Sequence, residues 1–214
     1  MTWDPFGTLA QTLWIGGGQW AGKSTVANLI AYRHGLTAYH FDYHSARGHW
    51  DRRVAAAGGV LAPPTAESMY VAVPPAESAL DAISALEQCF EFTLDDLRAL
   101  VSGRPIVAEG WGLRPRLVAP ILPDPRQMLV MVPTDEFRLH QSRTMKRAAV
   151  PQASDPALAL ANRLERDRLV ALEAVEQARA LGIRVLEVDG SAPAEAVADV
   201  VADHFALGSP SNSA

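Results

Sequence analysis

The fold of this chain is decided by one stretch, TLWIGGGQWAGKST at residues 12–25. Its residues 17–24 match the pattern G-x-x-x-x-G-K-[ST] at every specified position. A short apolar run precedes this pattern, and helical spacing of apolar residues follows it over residues 24–33. Glycines between a strand and a helix let several backbone N–H groups point at one anion, because they allow unusual dihedral angles and close approach. The stretch therefore predicts a loop that holds phosphate groups.

The side chains of this loop have separate expected roles in binding ATP, or another nucleoside triphosphate, together with Mg²⁺. Lys23 is expected to place its ammonium between the β- and γ-phosphates, and the Ser24 hydroxyl is a candidate Mg²⁺ ligand. The N-terminus of the following helix adds a positive pole. The bulky Trp20 either packs on a substrate or covers the loop, and both interpretations stay open. Further candidate contacts of the nucleotide are Gly17, Gly18, Gln19, Ala21, Gly22 and Thr25.

Composition narrows the class of protein. The chain has 214 residues, of which 49% are hydrophobic and 20% charged, and this suits one α/β domain with a large core. A net charge of -5 argues against a nucleic-acid scaffold, because binding a phosphate backbone needs a dense basic face. No signal peptide and no membrane-spanning run are recognisable, so we expect a cytoplasmic protein. The single cysteine, Cys89, is expected to be a small core residue.

Short β-rich runs alternate with longer helical ones along the chain. This alternation predicts an α/β fold, a three-layer sandwich around a five-stranded parallel sheet. Residues 1–207 are expected to form a single domain, and residues 208–214 a disordered tail. The predicted strands cover residues 12–15, 37–41, 105–108, 127–132 and 184–188.

Over residues 13–42 the sequence resembles the small-molecule and nucleoside kinases of the P-loop class. Shikimate, gluconate, nucleoside monophosphate and uridine kinases belong to this class, as does the chloramphenicol phosphotransferase. The resemblance rests on the loop at residues 17–24 and on Asp42 after the second strand, and it is looser over residues 105–190. It implies a nucleoside-kinase-like fold and transfer of the γ-phosphate of ATP to a small molecule. Residues 47–100 match no member of the class.

Asp42 is the candidate that orients or deprotonates the second substrate. In an open α/β sheet, ligands bind beyond the carboxyl ends of the strands, so Asp42 and the phosphate-binding loop should share one crevice. A carboxylate there can accept the proton of an attacking hydroxyl, and the resemblance implies this role. The alternative is that Asp42 caps a helix beginning near Ser45. His44 and Arg47 are further candidate substrate contacts, whereas His49 fits a solvated helix surface equally well.

The third predicted strand ends in an acid, Glu109, as a Walker B strand does. Glu109 would hold a water on Mg²⁺ or polarise the nucleophile; members of the class often carry Asp here, which leaves the choice open. The alternative is a strand-end carboxylate that faces solvent. Arg114 is expected near the same rim, where it either pairs with an anionic substrate or is a surface charge.

Two groups of cations predict a lid over residues 143–166. Arg143, Lys146 and Arg147 fall at helical spacing, and the run RLERD at residues 163–167 resembles uridine-type kinases. The resemblance implies that lid arginines close over the transferring phosphoryl group and exclude water, with Arg143 and Arg166 as first candidates. The alternative is a solvated helix face. After the fifth strand, VDGSA at residues 188–192 resembles the loop that holds adenine in these kinases.

Together these patterns predict an ATP- and Mg²⁺-dependent kinase with a hydroxylated small-molecule acceptor, such as a nucleoside, a sugar-like metabolite or an antibiotic. The helical region at residues 43–101 is the expected acceptor-binding part, although its aromatic residues fit a packed helical cap as well. No nucleic-acid or membrane partner is expected, and monomer and homodimer are both open. Two alternatives from other classes are a regulatory or resistance NTPase and a nucleotide-binding module without catalysis.

Overall fold

One parallel sheet organises the computed structural model, which describes residues 3–100, 102–145 and 149–208. Its five strands lie in the order β2-β3-β1-β4-β5, and each neighbouring pair is parallel. The predicted five-stranded parallel sheet is therefore confirmed. The strands are β1 Leu13–Gly17, β2 Thr37–His40, β3 Ile106–Glu109, β4 Met128–Pro133 and β5 Arg184–Val188.

Helices connect the strands and cover both faces of the sheet. A π-helical turn, Ser45–His49, joins α2 to α3, and Thr134 caps α8 by accepting a hydrogen bond from the Phe137 N–H. The helices are α1 Lys23–His34, α2 Phe41–His44, α3 Trp50–Ala56, α4 Ala66–Tyr70, α5 Pro75–Gln88, α6 Phe90–Ala99, α7 Pro115–Val118, α8 Asp135–Thr144, α9 Pro156–Ala180 and α10 Ala194–His204.

Two cores lie on opposite sides of the sheet, because successive strand residues point to opposite faces. Trp14 and Ala108 face the core formed with α5, α6 and α9, and this core includes the buried Cys89. The next residue of β1, Ile15, faces the core formed with α1 and α10. No helix in the described ranges is long and apolar enough to cross a membrane.

The second strand is shorter than predicted. It ends at His40, and Phe41 already begins α2, so that Asp42 lies in the first helical turn. Phe41 is fully buried and packs where Gly110 and Gly112 have no side chain, since a Cβ atom at either glycine would overlap its ring or Cβ. This packing turns the chain sharply at the carboxyl ends of β2 and β3.

Candidate functional site

The phosphate-binding loop, residues 17–24, folds as a cradle between β1 and α1. Gly17 has a φ of 115°, and a side chain there would overlap the carbonyl of Met131. The Gly18 N–H donates to the same carbonyl at 2.9 Å, which ties the loop to β4. Lys23 is buried, and its Nζ donates to the Gly18 carbonyl at 2.6 Å. The lysine thus folds back across the loop and closes it.

Three carboxylates surround the Lys23 ammonium. Burial lowers its pKa, while the negative charges of Asp42, Glu109 and Asp167 act in the opposite direction. These carboxylates come from the start of α2, the end of β3 and the middle of α9. Asp42 and Glu109 are therefore brought to the loop, as the sequence predicted, and Asp167 is a carboxylate that the sequence did not single out.

Glu109 is held at the end of β3 by a histidine that the sequence did not predict as a site residue. The carboxylate is 1% exposed, and its Oε1 accepts a hydrogen bond from His40 Nδ1 at 2.7 Å. The second His40 nitrogen, Nε2, lies 3.1 Å from Asn28 Oδ1. The interpretation of Glu109 as a solvent-facing carboxylate is therefore wrong.

Ser24 and Glu109 carry oxygen atoms of the kind that a hydrated Mg²⁺ takes as ligands. Glu109 Oε2 is buried and has no hydrogen-bond partner among the described residues. Ser24 lies exposed in the first turn of α1, on the wall of the cavity described next. Mg²⁺ takes oxygen ligands and keeps several of its waters, so one hydroxyl and one carboxylate are a fitting protein contribution.

A cavity of about 450 Å³ opens over the loop. Residues 19–26, Asp42 and Arg163 line one end. Asp42 lies inside α2, which has His40 at its N-cap position, so its interpretation as the cap of a helix beginning near Ser45 is wrong. The other end of the cavity is lined by Phe137, Gln141, Met145, Val188, Gly190 and Val197.

This second end lies where the sequence predicted the adenine loop, at residues 188–192, and adds side chains from α8 that were not predicted. Phe137, Gln141 and Met145 are spaced by four residues, so they follow one face of α8 and its end. That spacing was visible in the sequence. A Cβ atom at Gly190 would overlap the Phe137 ring, so this glycine lets the ring come close to the loop.

Of the two candidate lid arginines on α9, the one that faces the cavity is not the one that the sequence favoured. Arg163 lines the cavity, and its guanidinium lies 5.4 Å from the centre of the Trp20 ring. Arg166, which the sequence favoured, is buried, with its Nε 2.7 Å from Asp167 and a hydrogen bond of 3.0 Å to the Tyr70 hydroxyl. Arg143 is exposed at the end of α8. Lys146 and Arg147 lie outside the described residues.

Trp20 lies inside the phosphate-binding loop and is bonded to α9 through its indole. Its side chain is buried, and Nε1 donates a hydrogen bond of 2.9 Å to Asp167 Oδ2. This contact gives Trp20 a definite partner on α9, where the sequence left two interpretations open.

Arg114 does not lie on the rim of the site, contrary to the prediction. It is fully buried, donates to the Val170 carbonyl at 2.9 Å and pairs with Glu173. Burial lowers the pKa of its guanidinium to about 10. The sequence around Arg114 does not predict this burial, because the residues that pair with Arg114 belong to α9.

The histidines after Asp42 surround Asp96 of α6. His49 is fully buried and donates Nε2–H to Asp96 at 2.8 Å, so the interpretation of His49 as solvated surface is wrong. His44 stacks on Tyr39 and lies 3.2 Å from the same carboxylate. Arg47 is exposed. Neither His44 nor Arg47 is among the described residues that line the cavity.

The strand order, the parallel pairing and the glycine-rich loop between β1 and α1 define a P-loop α/β fold. No protein-family model matches the chain, and no curated protein matches it significantly.

Two solved structures are similar to the chain over most of its length. One is a gluconokinase from Sinorhizobium meliloti 1021, with 15% identity, a TM-score of 0.46, and coverage of 92% of this chain and 93% of that chain. The other is the shikimate kinase from Aquifex aeolicus vf5, with 14% identity, a TM-score of 0.46, and coverage of 91% and 96%.

Proposed function

We propose that this protein is an ATP- and Mg²⁺-dependent phosphotransferase that moves the γ-phosphate to a hydroxyl of a small molecule. The observation that carries the proposal is the shared wall of the cavity. The loop closed by Lys23 and the carboxylate of Asp42 face the same space of about 450 Å³. A phosphate donor and a group that handles a hydroxyl proton are thereby within reach of one another.

Phosphate binding falls to the loop, to Lys23 and to the N-terminus of α1. Several backbone N–H groups and the helix terminus favour an anion without needing to be charged themselves. Lys23 adds its amino group; burial lowers the pKa of this group, and the negative charges of Asp42, Glu109 and Asp167 act in the opposite direction. An arriving polyphosphate would take over from these carboxylates as the partner of the ammonium.

Asp42 acts on the acceptor. In the transfer step the acceptor oxygen forms a bond to the γ-phosphorus, the bond to the β–γ bridging oxygen breaks, and ADP leaves. The hydroxyl proton passes to the Asp42 carboxylate, which is exposed and lines the cavity. Mg²⁺, when bound, would neutralise charge on the transferring group, and Ser24 and Glu109 are the residues that would hold it and its waters.

We assign residues 1–207 to a single domain, residues 43–101 to acceptor binding and residues 143–166 to a lid. Among the described residues of the lid, Arg163 is the arginine that lines the cavity, whereas Arg166 is buried and supports the lid from within. Arg143 is free to approach only if the lid closes, because it now lies exposed at the end of α8.

The test is product analysis of the purified protein with ATP, Mg²⁺ and a panel of nucleosides, sugars and natural-product antibiotics. We expect ADP and one phosphorylated acceptor in equal amounts, measured by mass spectrometry. Lys23→Ala should abolish both products, and the exposed Arg126→Ala should change neither. Free phosphate without a phosphorylated acceptor would identify an NTPase instead, and unchanged ATP would identify a binding module.

A further inference from the structure

The phosphate-binding loop contains a backbone conformation that needs support from elsewhere. Trp20 has a φ of 71°, and in the described ranges it shares a positive φ with only one other non-glycine residue, Ala206. A bulky side chain rarely adopts this left-handed region, because its Cβ comes too close to the neighbouring carbonyl oxygen. Such conformations persist where surrounding contacts impose them.

The Trp20 side chain is held by contacts from α9. The Trp20 indole is 6% exposed, donates to Asp167 Oδ2 at 2.9 Å and lies under the Arg163 guanidinium. Asp167 is separated from Trp20 by 147 residues of sequence, so local structure does not explain the contact.

Asp167 is itself held in place on its other side. Its Oδ1 lies 2.7 Å from Arg166 Nε, and Arg166 sits 5.2 Å from the ring centres of both Tyr70 and Trp111. Burial raises the pKa of the Asp167 carboxyl, and Arg166, Trp20 and Arg163 oppose that rise. The Asp167 carboxylate is therefore held in a fixed position, where it accepts the hydrogen bond from the Trp20 indole.

We propose that Asp167 is a positioning residue that holds the phosphate-binding loop in its anion-receiving conformation through the Trp20 indole. The inference rests on the proposed function, because it takes the loop to be a nucleotide site. Without the contact, Trp20 would relax toward negative φ and turn backbone N–H groups of the loop away from the anion. Nucleotide would then have to select a minor conformation, and its apparent affinity would fall by the fraction of the protein still in the binding form.

The test is the Kd for ATP, measured by calorimetry on the full chain, for Trp20→Phe, Trp20→Gly and Asp167→Ala. Trp20→Phe removes the N–H donor and one ring of the indole but keeps an aromatic side chain, and Trp20→Gly accepts the positive φ but removes the side chain altogether. We expect each variant to raise the Kd about tenfold or more, as loss of a hydrogen bond to a charged group does. Trp3→Phe is the control, since the exposed Trp3 also lies beside an arginine, Arg98, and the Kd of this variant for ATP should equal that of the wild type.

A double-mutant cycle separates positioning from general loss of stability. Adding Trp20→Phe to Asp167→Ala should raise the Kd no further, because both changes remove the same contact. A Trp20→Phe variant with wild-type Kd would overturn the inference, and this variant decides the matter alone if Asp167→Ala fails to fold. A wild-type protein that binds no ATP would overturn the proposed function instead.

Discussion

His40 Nδ1 lies 2.7 Å from Glu109 Oε1, directly across the register that pairs β2 with β3. The hydrogen bond raises the pKa of the His40 imidazole, although burial acts in the opposite direction. It also occupies one carboxylate oxygen and leaves the other unbonded among the described residues. The pair thus fixes the orientation of Glu109 toward the phosphate-binding loop.

Glu109→Gln should raise the Mg²⁺ requirement. If Glu109 holds a water of the ion, its loss should raise the Mg²⁺ concentration for half-maximal turnover by about 10–100-fold, as loss of an outer-shell partner does. The measurement is turnover titrated with Mg²⁺ at saturating ATP. Glu136→Gln, an exposed carboxylate at the start of α8, is the control and should titrate as the wild type. An unchanged Mg²⁺ titration in Glu109→Gln would remove this residue from the metal shell.

Asp42→Asn should separate binding from transfer. The amide cannot take up the hydroxyl proton, so we expect the rate of phosphate transfer to fall by about 10²–10⁴-fold. The Kd for ATP should stay within a factor of about two, because the loop and Lys23 are intact. Single-turnover transfer and calorimetry measure the two quantities. Asp203→Asn, an exposed carboxylate on α10, serves as control, and equal transfer rates in the two variants would contradict the role of Asp42.

His49 should make the protein less stable in mild acid. Burial lowers the pKa of its imidazole, while the hydrogen bond and negative charge of Asp96 on α6 act in the opposite direction. Arg52 and His44 lower the pKa further by smaller amounts. The unfolded state therefore binds a proton at higher pH than the folded state. The stability contributed by neutral His49 is complete above the ordinary histidine pKa of about 6.5 and is lost progressively as the pH falls below it.

The measurement for His49 is urea unfolding at about pH 7.5 and at about pH 5. Burial alone would raise the pKa of Asp96, but hydrogen bonds from His49, Arg52 and Tyr39 lower it, so this carboxylate loses its own contribution only in stronger acid. His49→Gln should be less dependent on pH than the wild type. His140→Gln, an exposed histidine on α8, should keep the wild-type dependence, and the same dependence in His49→Gln would contradict the prediction.

Gly190→Ala should damage the far end of the cavity. Gly190 has a φ of 82° and Gly182 a φ of 68°, so alanine at either position costs roughly 1–2 kcal/mol of backbone strain. Of these two glycines, Gly190 is the one at which the new Cβ would meet a side chain, the ring of Phe137, whereas no atom of the described residues lies within 4 Å at Gly182. We expect Gly190→Ala to unfold at lower urea concentration than Gly182→Ala and to bind ATP more weakly. Gly182→Ala should keep the wild-type Kd; equal Kd values in both variants would exclude Phe137 from the nucleotide site.

Features that depend on neighbouring residues were predictable from the sequence. The loop at residues 17–24, the strand Arg184–Val188 and the Thr134 cap follow from patterns within a few residues, since dihedral preferences and local hydrogen bonds act over that distance. The position of Asp42 beside the loop also followed, because parallel strands bring their carboxyl ends to one edge.

The partners of charged side chains on helices were decided by packing between distant segments. Arg163 and Arg166 are three residues apart on α9, so helical spacing alone does not say which of them faces the cavity. The packing of α9 against α4 and the phosphate-binding loop buries Arg166 against Tyr70 and turns Arg163 toward the cavity. The prediction that Arg114 lies at the rim was wrong for the same reason, because its partners belong to α9, a distant segment of the sequence. Helical spacing identifies the residues of a face but not the surface that the face will meet, because that choice depends on contacts across the whole chain.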